Sequence, residues 1–216
     1  MQTFYQYSIP ALWLAWLIYW WIAAFATKAT RRKETIASRA SHLLPLYLGV
    51  VLLVPPHLPG PWLTMRLLPR TLTCFWLGFL LTTLGLVFAV IARGWLGGNW
   101  SSTVTLKQDH ELIRSGPYRF VRHPIYSGLL LALLGTAIAI GEWRGLLALA
   151  LMAAAFLRKI AIEERFLTEQ FGEAYARYRE DVPALLPVGR WSSETPHKVR
   201  GVDHQERPPR DDASWQ

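Results

Sequence analysis

The chain has 216 residues and a formal net charge of +8, with 52% hydrophobic and only 18% charged residues. This composition fits a soluble domain poorly unless the charges are segregated along the chain, as they are here. The basic residues fall between apolar runs, where they would meet anionic lipid headgroups, so the charge does not call for nucleic-acid binding. Cys74 is the only cysteine, and we expect neither a disulfide nor a bound metal.

Five apolar runs predict transmembrane helices: residues 10–26, 43–54, 72–92, 126–141 and 145–157. The first and third approach the ~20 residues that cross the hydrocarbon. The last two flank a turn predicted at residues 141–145, and this hairpin spans if Trp143 and Arg144 lie at the interface. The second run is short and contains Pro45, so by itself it fits a re-entrant or buried helix as well.

The distribution of basic residues decides for five crossings. The segment that follows the first run carries five Lys and Arg residues. The segments that follow the second, third, fourth and fifth runs carry two, five, one and ten. Cytoplasmic segments are enriched in Lys and Arg. We therefore expect an all-α integral membrane protein with about five transmembrane helices, its N-terminus outside and a cofactor-binding C-terminal region in the cytoplasm.

The segments between the runs divide the chain into three regions. Residues 1–92 hold three predicted spans, joined in part by a proline-rich external loop at residues 55–61. Residues 93–187 begin with a long polar and aromatic loop, and long loops of this composition are usually functional. Residues 188–216 are rich in charge and proline, and we expect a disordered cytoplasmic tail.

A single amphipathic helix is predicted between Glu163 and Asp181. Leu167, Phe171, Tyr175 and Tyr178 recur at helical spacing and share one face, and Pro183 prevents continuation. A helix on the membrane surface explains the pattern, and a lid over a site explains it as well.

The stretch from His110 to Gly128 leads into the fourth span and carries most of the candidate chemistry. Pro124 suits the first turn of a helix, whose unpaired amides, with Arg119, Arg122 and His123, predict a positive cradle for a carboxylate or phosphate. Tyr118 and Tyr126 add ring faces for a purine or a cation. Interfacial anchoring by Arg and Tyr is the alternative explanation.

A second candidate group, residues 158–164, lies at the end of the fifth span. Lys159 and Glu163 are four residues apart and can share a helix face. Glu163 and Glu164 are adjacent, about 100° apart around a helix, and we expect that they do not both face one pocket. The residues alone leave open whether Lys159 and Glu163 form a surface ion pair or whether Glu163 meets a cationic ligand.

Taken together, these motifs resemble the isoprenylcysteine carboxyl methyltransferase family and its bacterial relatives. The shared pattern covers about residues 103–187. Its members are His110, Leu112, Gly116, Tyr118, Arg122, His123, Pro124, Tyr126, Gly128, Glu163, Glu164, Leu167, Phe171, Gly172, Tyr175, Val182 and Pro183.

The resemblance implies an S-adenosylmethionine-dependent methyltransferase whose lipophilic acceptor enters from the bilayer. The cofactor-binding residues it implies are His110, Glu111, Leu112, Ile113, Tyr118, Arg122, His123, Pro124, Ile125, Tyr126 and Glu163. The family usually has an arginine four residues before the glutamate, near the reacting group. This chain has Lys159 there, next to Arg158, and we take both as candidate catalytic residues.

The acceptor and three rival functions stay open. A carboxylate nucleophile needs no general base, which slightly favours carboxyl methylation over N-methylation of a phospholipid. A sterol-type reductase would use a nicotinamide cofactor, but its usual residues after Pro124 are missing. A transporter would place ionisable groups within the spans, and the five runs contain none.

Overall fold

A computed structural model of the protein describes residues 2–25, 30–33, 36–53, 61–97, 105–107, 111–188 and 199–200. Helices dominate this part: α1 (Gln2–Ala24), α2 (Ile36–Leu53), α3 (Leu72–Leu96), α4 (Pro124–Ile140), α5 (Trp143–Phe171) and α6 (Glu173–Asp181). In the described part, α3, α5 and Gln6–Ala24 of α1 are long and apolar enough to span a membrane, and α2 and α4 are shorter apolar helices. The predicted helical membrane class is confirmed, while the number of five crossings stays a prediction.

The helices α3 and α4 pack through paired glycines. A Cβ atom on Gly85 would lie 2.4 Å from the Gly128 carbonyl oxygen, and one on Gly78 would lie 2.5 Å from that of Gly135. Small residues let helix backbones approach closely in a membrane, where packing rather than hydrophobicity joins helices. The pair α3–α4 therefore forms the centre of the bundle. On this centre, α1 packs against α3 and α5 packs against α4, while α2 packs against α5.

The fifth helix is longer than predicted, and this changes the C-terminal architecture. Its 29 residues give a length of about 44 Å, against a hydrocarbon core of about 30 Å. The helix ends at Gly172, whose φ of 52° lies in the left-handed region, and α6 then begins at Glu173. The prediction of one separate helix from Glu163 to Asp181 is therefore wrong, since its first half continues α5.

The apolar face predicted for that segment is nevertheless present. Phe171, Tyr175 and Tyr178 are buried in one cluster with Leu112 and Val182. The chain turns at Gly172, and α6 packs its two tyrosines against the polar loop that precedes α4.

Two small antiparallel strand pairs were not predicted. They are β1 (Thr30–Lys33) with β2 (Thr105–Lys107) and β3 (Glu111–Leu112) with β4 (Val199–Arg200). Strands of two to four residues are too short to give a readable alternation of polar and apolar residues. The second pair returns part of the predicted tail to the polar loop. The rest of that tail beyond Val188, like the proline-rich residues 55–60, lies outside the described residues.

The α4–α5 turn lies at the end of the bundle opposite to the polar loop that precedes α4. It is two residues long, whereas the sequence predicted five. Gly141 caps α4 in the left-handed region, with φ of 64°. Glu142 lies 2.7 Å from Arg144 Nε and 3.7 Å from Arg66 Nη1. Arg144 Nη1 also donates to the carbonyl of Leu52 at the end of α2. These contacts satisfy polar groups at a helix end that would otherwise face the interface.

Candidate functional site

The start of α4 is covered by the segment that follows α6, residues 182–185, which we call the strap. The amide of Arg122 donates to the Pro183 carbonyl at 2.9 Å, and the amide of His123 donates to the Ala184 carbonyl at 3.0 Å. The Ser127 hydroxyl donates to the Leu185 carbonyl at 2.6 Å. The backbone therefore supplies its own acceptors beside the place where the sequence predicted an anion cradle.

Arg122 joins the strap to α5. Its Nε and Nη2 atoms donate to Glu164 Oε1 at 3.0 and 2.7 Å. Nη1 donates to the carbonyls of Arg179 and Val182. These contacts engage the planar guanidinium at each of its three nitrogens, a use of arginine that a lysine cannot reproduce. Its neighbour in the predicted cradle, Arg119, is exposed.

Both glutamates at the end of α5 face one histidine ring, contrary to the sequence-based expectation. Nδ1 of His123 lies 3.6 Å from Glu163 Oε2, and Nε2 lies 3.2 Å from Glu164 Oε1. Adjacent helix positions do diverge, but each glutamate has three rotatable bonds, and the imidazole offers nitrogens on two edges. The ring thus bridges two side chains whose Cα–Cβ bonds leave the helix in different directions.

Burial and these carboxylates act in opposite directions on His123. Burial by itself lowers the pKa of His123, but the interactions with Glu163 and Glu164 raise it more, so the net pKa is above its usual value. The ring is only 7% exposed. A protonated His123 between two carboxylates is the charge state that this geometry favours.

Tyr126 brings the first turn of α4 onto α5. Its hydroxyl donates to Glu163 Oε1 at 2.5 Å. Its ring stacks on Phe156 with centroids 5.2 Å apart, and on His123 at 5.8 Å. Nζ of Lys159 lies 5.8 Å from the same ring centroid. The site therefore combines a carboxylate, an ammonium and an aromatic stack.

The two candidate catalytic residues point in different directions. Phe156, Lys159 and Glu163 are separated by three and four residues, so they lie on one face of α5, towards Tyr126. Arg158 is one position away, and its Nε donates to the Ser41 hydroxyl on α2 at 3.3 Å. Of the two, the structure brings Lys159 to the Tyr126–Glu163 pair and directs Arg158 to another helix.

The loop before α4 supplies the other predicted residues. Leu112, Ile113 and Tyr118 are buried, as are Pro124 and Ile125 at the start of α4. The Tyr118 carbonyl accepts from the Tyr178 hydroxyl at 2.6 Å, which fixes the loop to α6. Burial, with the nearby Tyr178 and Glu163, raises the pKa of Tyr118, so its hydroxyl is neutral. Glu111 lies in β3, and His110 lies outside the described residues.

Several contributors were not singled out from the sequence. Phe156 could have been found by stepping back seven residues from Glu163 along the helix. Val182 and Pro183 of the strap belong to the family pattern, but the pattern did not reveal their contacts with the start of α4, because those contacts use backbone carbonyls. Ser127, whose hydroxyl donates to such a carbonyl, was not singled out. Arg93 in α3 is buried, with 4% of its surface exposed. It donates to the carbonyl of Ala23 in α1 and to that of Gly97 at the end of α3, each at 2.8 Å. Its role is to join α1 to α3 beside the loop that holds Tyr118.

Comparison with known proteins gives a consistent picture. A family model described as phospholipid methyltransferase matches residues 73–174. The chain is 36% identical over 115 residues to the protein-S-isoprenylcysteine O-methyltransferase of Schizosaccharomyces pombe, covering 52% of this chain and 48% of that protein. It is 32% identical over 132 residues to a probable protein-S-isoprenylcysteine O-methyltransferase of Oryza sativa subsp. japonica, covering 58% of this chain and 69% of that protein.

A solved structure is also similar, that of the eukaryotic intramembrane Ras methyltransferase ICMT (isoprenylcysteine carboxyl methyltransferase). It matches with a TM-score of 0.47 and 25% identity over 70% of this chain and 51% of that one. The described helices, three of them long and apolar enough to span a membrane, are those of a helical membrane protein. The chain belongs to the isoprenylcysteine carboxyl methyltransferase family, as its motifs predicted. The match spans about half the length of the S. pombe relative.

Proposed function

We propose that this protein is an S-adenosylmethionine-dependent methyltransferase that modifies a lipophilic, membrane-embedded acceptor at a carboxylate. The observation that carries the proposal is the contact between Tyr126 at the start of α4 and Glu163 near the end of α5. It joins the two motifs that the family pattern separates by 36 intervening residues. Lys159, at the position where the resemblance implies an arginine, lies beside Tyr126 and supports the proposal.

The residues present fit the chemistry of the cofactor. S-adenosylmethionine supplies an activated methyl group on a sulfonium, together with an ammonium, a carboxylate and a purine. Glu163 is the more exposed of the two glutamates, 23% against 12%, and is suited to bind the ammonium. The stacked rings of Tyr126 and Phe156 offer faces for a cation or a purine. Leu112, Ile113 and Tyr118 would line the same site from the loop side.

In this proposal Lys159 orients the acceptor. Its ammonium would pair with the acceptor carboxylate and hold one oxygen towards the methyl group. A carboxylate already carries the electron pair that forms the new bond, so the protein does not have to remove a proton. What remains is alignment and exclusion of water. Lysine binds as a point charge and lacks the two-point grip of an arginine, so it would accept a broader set of carboxylates.

The membrane arrangement in the proposal follows from charge and length. With α2 and α4 counted as spans, the site lies at the end of the bundle that adjoins most of the basic segments. By the positive-inside rule this end is cytoplasmic. The ~44 Å length of α5 would carry Glu163, Glu164 and the following turns beyond the hydrocarbon, where a soluble cofactor can reach them.

A second candidate is N-methylation of an aminophospholipid, which the phospholipid methyltransferase match to residues 73–174 favours. The two reactions give products of different stability. A methyl ester is cleaved by mild alkali and releases volatile methanol, whereas an N-methyl group survives. Transfer of a labelled methyl from S-adenosylmethionine to extracted native lipids and lipidated proteins, followed by alkali treatment, separates them.

The cofactor assignment is tested directly by binding. We expect the detergent-purified protein to bind S-adenosylhomocysteine in calorimetry, and Glu163→Gln and Tyr126→Phe to weaken that binding by about tenfold each. Glu173→Gln, an exposed carboxylate on α6, is the control and should bind as the wild type does. Absence of binding to S-adenosylhomocysteine, with stabilisation by a nicotinamide dinucleotide, would replace the proposal with a reductase.

A further inference from the structure

Among the described residues, the carboxylate of Glu164 contacts three basic side chains. Its Oε1 atom accepts from Arg122 and faces His123 Nε2 at 3.2 Å, and its Oε2 lies 3.4 Å from Arg179 Nε. Glu163, by contrast, accepts a hydrogen bond from Tyr126 and lies beside His123 Nδ1, and its side chain is the more exposed of the two. The adjacent acids therefore have different surroundings, although the sequence presents them as an identical pair.

We propose that Glu164 is a positioning residue that does not touch the cofactor and that acts on Glu163 through His123. Anchored by Arg122, it holds Nε2 of the ring, so that Nδ1 is turned towards the Glu163 carboxylate at the other edge. This inference rests on the proposed function for its effect on cofactor binding. Its structural part, the control of His123 by Glu164, is independent of any ligand.

The chemistry follows from the two nitrogens of imidazole. A neutral ring has one N–H and can donate at only one edge, whereas a protonated ring donates at both. A carboxylate at Nε2 and another at Nδ1 together favour the protonated form. Removing the charge of Glu164 therefore releases the proton from His123 at lower pH. The neutral ring can then no longer donate to both glutamates.

The groups that surround His123 come from each neighbouring element. Glu163 and Glu164 face it from α5, and the Tyr126 ring stacks on it from α4. Arg122 and Arg179 contact Glu164, the carboxylate at the Nε2 edge of the ring. If Glu164 loses its charge and His123 loses its proton, the net charge of that pair is unchanged. A loss of affinity would then report on the orientation of Glu163 rather than on a change of total charge.

The first test follows the ring itself. Histidines labelled with ¹³C at Cε1 are titrated by NMR in the full-length, detergent-solubilised protein, and the His123 signal is assigned by its absence in His123→Gln. We expect Glu164→Gln to move the His123 titration to lower pH, and Glu164→Asp, which keeps the charge, to restore part of the shift. Glu173→Gln is the control and should leave it unchanged. A His123 titration that is the same in Glu164→Gln and wild type would overturn the proposal.

The second test asks whether Glu164 acts through His123 or directly. The affinity for S-adenosylhomocysteine is measured in Glu164→Gln, His123→Gln and the double variant, each accepted only with a cooperative melting transition. Groups that act through one another are not additive. We expect each single change to weaken binding by about tenfold and the double variant to bind no more weakly than His123→Gln. A further loss in the double variant would mean that Glu164 contacts the ligand, and the proposal would fail.

The proposed function and the positioning role of Glu164 would be refuted by different results. If the wild type does not bind S-adenosylhomocysteine although His123 shifts as expected, the proposed function is wrong and the link from Glu164 to His123 stands. If the wild type binds and the cycle is additive, the function stands and the positioning role is wrong. If Glu164→Gln lacks a cooperative transition, Glu164→Asp is used in both measurements. We then expect a smaller shift of the His123 titration to lower pH and no further loss of affinity when Glu164→Asp is added to His123→Gln. A wild-type titration or an additive loss would overturn the proposal.

Discussion

Replacing Gly85 by alanine tests whether α3 and α4 hold the site through direct backbone contact. The added Cβ atom would lie 2.4 Å from the Gly128 carbonyl oxygen and 2.5 Å from the Ala132 amide nitrogen. Ordinary contacts of this kind are at ~3.5 Å, so the two helices must separate by about 1 Å. Both clashing atoms belong to the backbone, and no side-chain rotation can relieve them.

The expected loss of stability follows from that displacement. Overpacking a well-packed interface costs typically 1–3 kcal/mol. For a chain of this size, 1 kcal/mol corresponds to about 2–4 °C in Tm, so we expect Tm to fall by about 2–12 °C. The displaced α4 begins with the turn that carries Tyr126. Weaker binding of S-adenosylhomocysteine should therefore accompany the fall in Tm.

Gly94 provides a matched control on the same helix. Nothing lies within 4 Å of a Cβ atom built there, and alanine is favoured over glycine within a helix by about 0.5–1 kcal/mol. Gly94→Ala should thus keep or slightly raise the Tm of the detergent-solubilised protein, measured by tryptophan fluorescence. If Gly85→Ala and Gly94→Ala had the same Tm, close packing of α3 on α4 would be refuted.

Three further predictions concern the polar end of the bundle. The pKa of His123 is raised in the folded protein, so its contribution to stability is complete below about pH 6.5 and is lost as the pH rises through the folded pKa. The difference in Tm between wild type and His123→Gln should therefore shrink from pH 6 to pH 9. A difference that grows with pH would contradict the assignment. Tyr178→Phe removes the hydrogen bond to the Tyr118 carbonyl and should cost about 1 kcal/mol. Tyr175→Phe should cost nothing, since that buried hydroxyl has no hydrogen-bond partner in the described part of the chain; equal melting of the two variants would be the contrary result. Gly172→Ala should cost about 1–2 kcal/mol from its φ of 52° alone, and chemical denaturation showing no loss would mean that α5 and α6 can join differently.

The sequence predicted that the motif before α4 and the motif in α5 lie together, because a geometric constraint requires it. Two apolar helices joined by a short turn must return to the same membrane face, so the start of α4 and the end of α5 lie together. Tyr126 and Glu163 are accordingly in contact. Helical spacing likewise placed Lys159 with Glu163. Periodicity and hydrophobic length are local quantities, and a single sequence carries them in full.

What the sequence did not predict depends on which partner each polar group finds. The turn at Gly172 ends α5 where the pattern favoured one helix starting at Glu163. The strap occupies the amides of Arg122 and His123 with carbonyls from about 60 residues away, and every residue has a carbonyl, so its sequence carries no mark of that role.

The division between the two glutamates shows this most clearly. By sequence alone the chain determined its membrane class, its family and the pairing of α4 with α5, because these follow from apolar length and from residue order. Only the tertiary structure decided that Glu164 is enclosed by Arg122 and Arg179 while Glu163 faces Tyr126. The physical reason is that burial and charge at a side chain are set by the elements packed around it, and these come from distant parts of the chain.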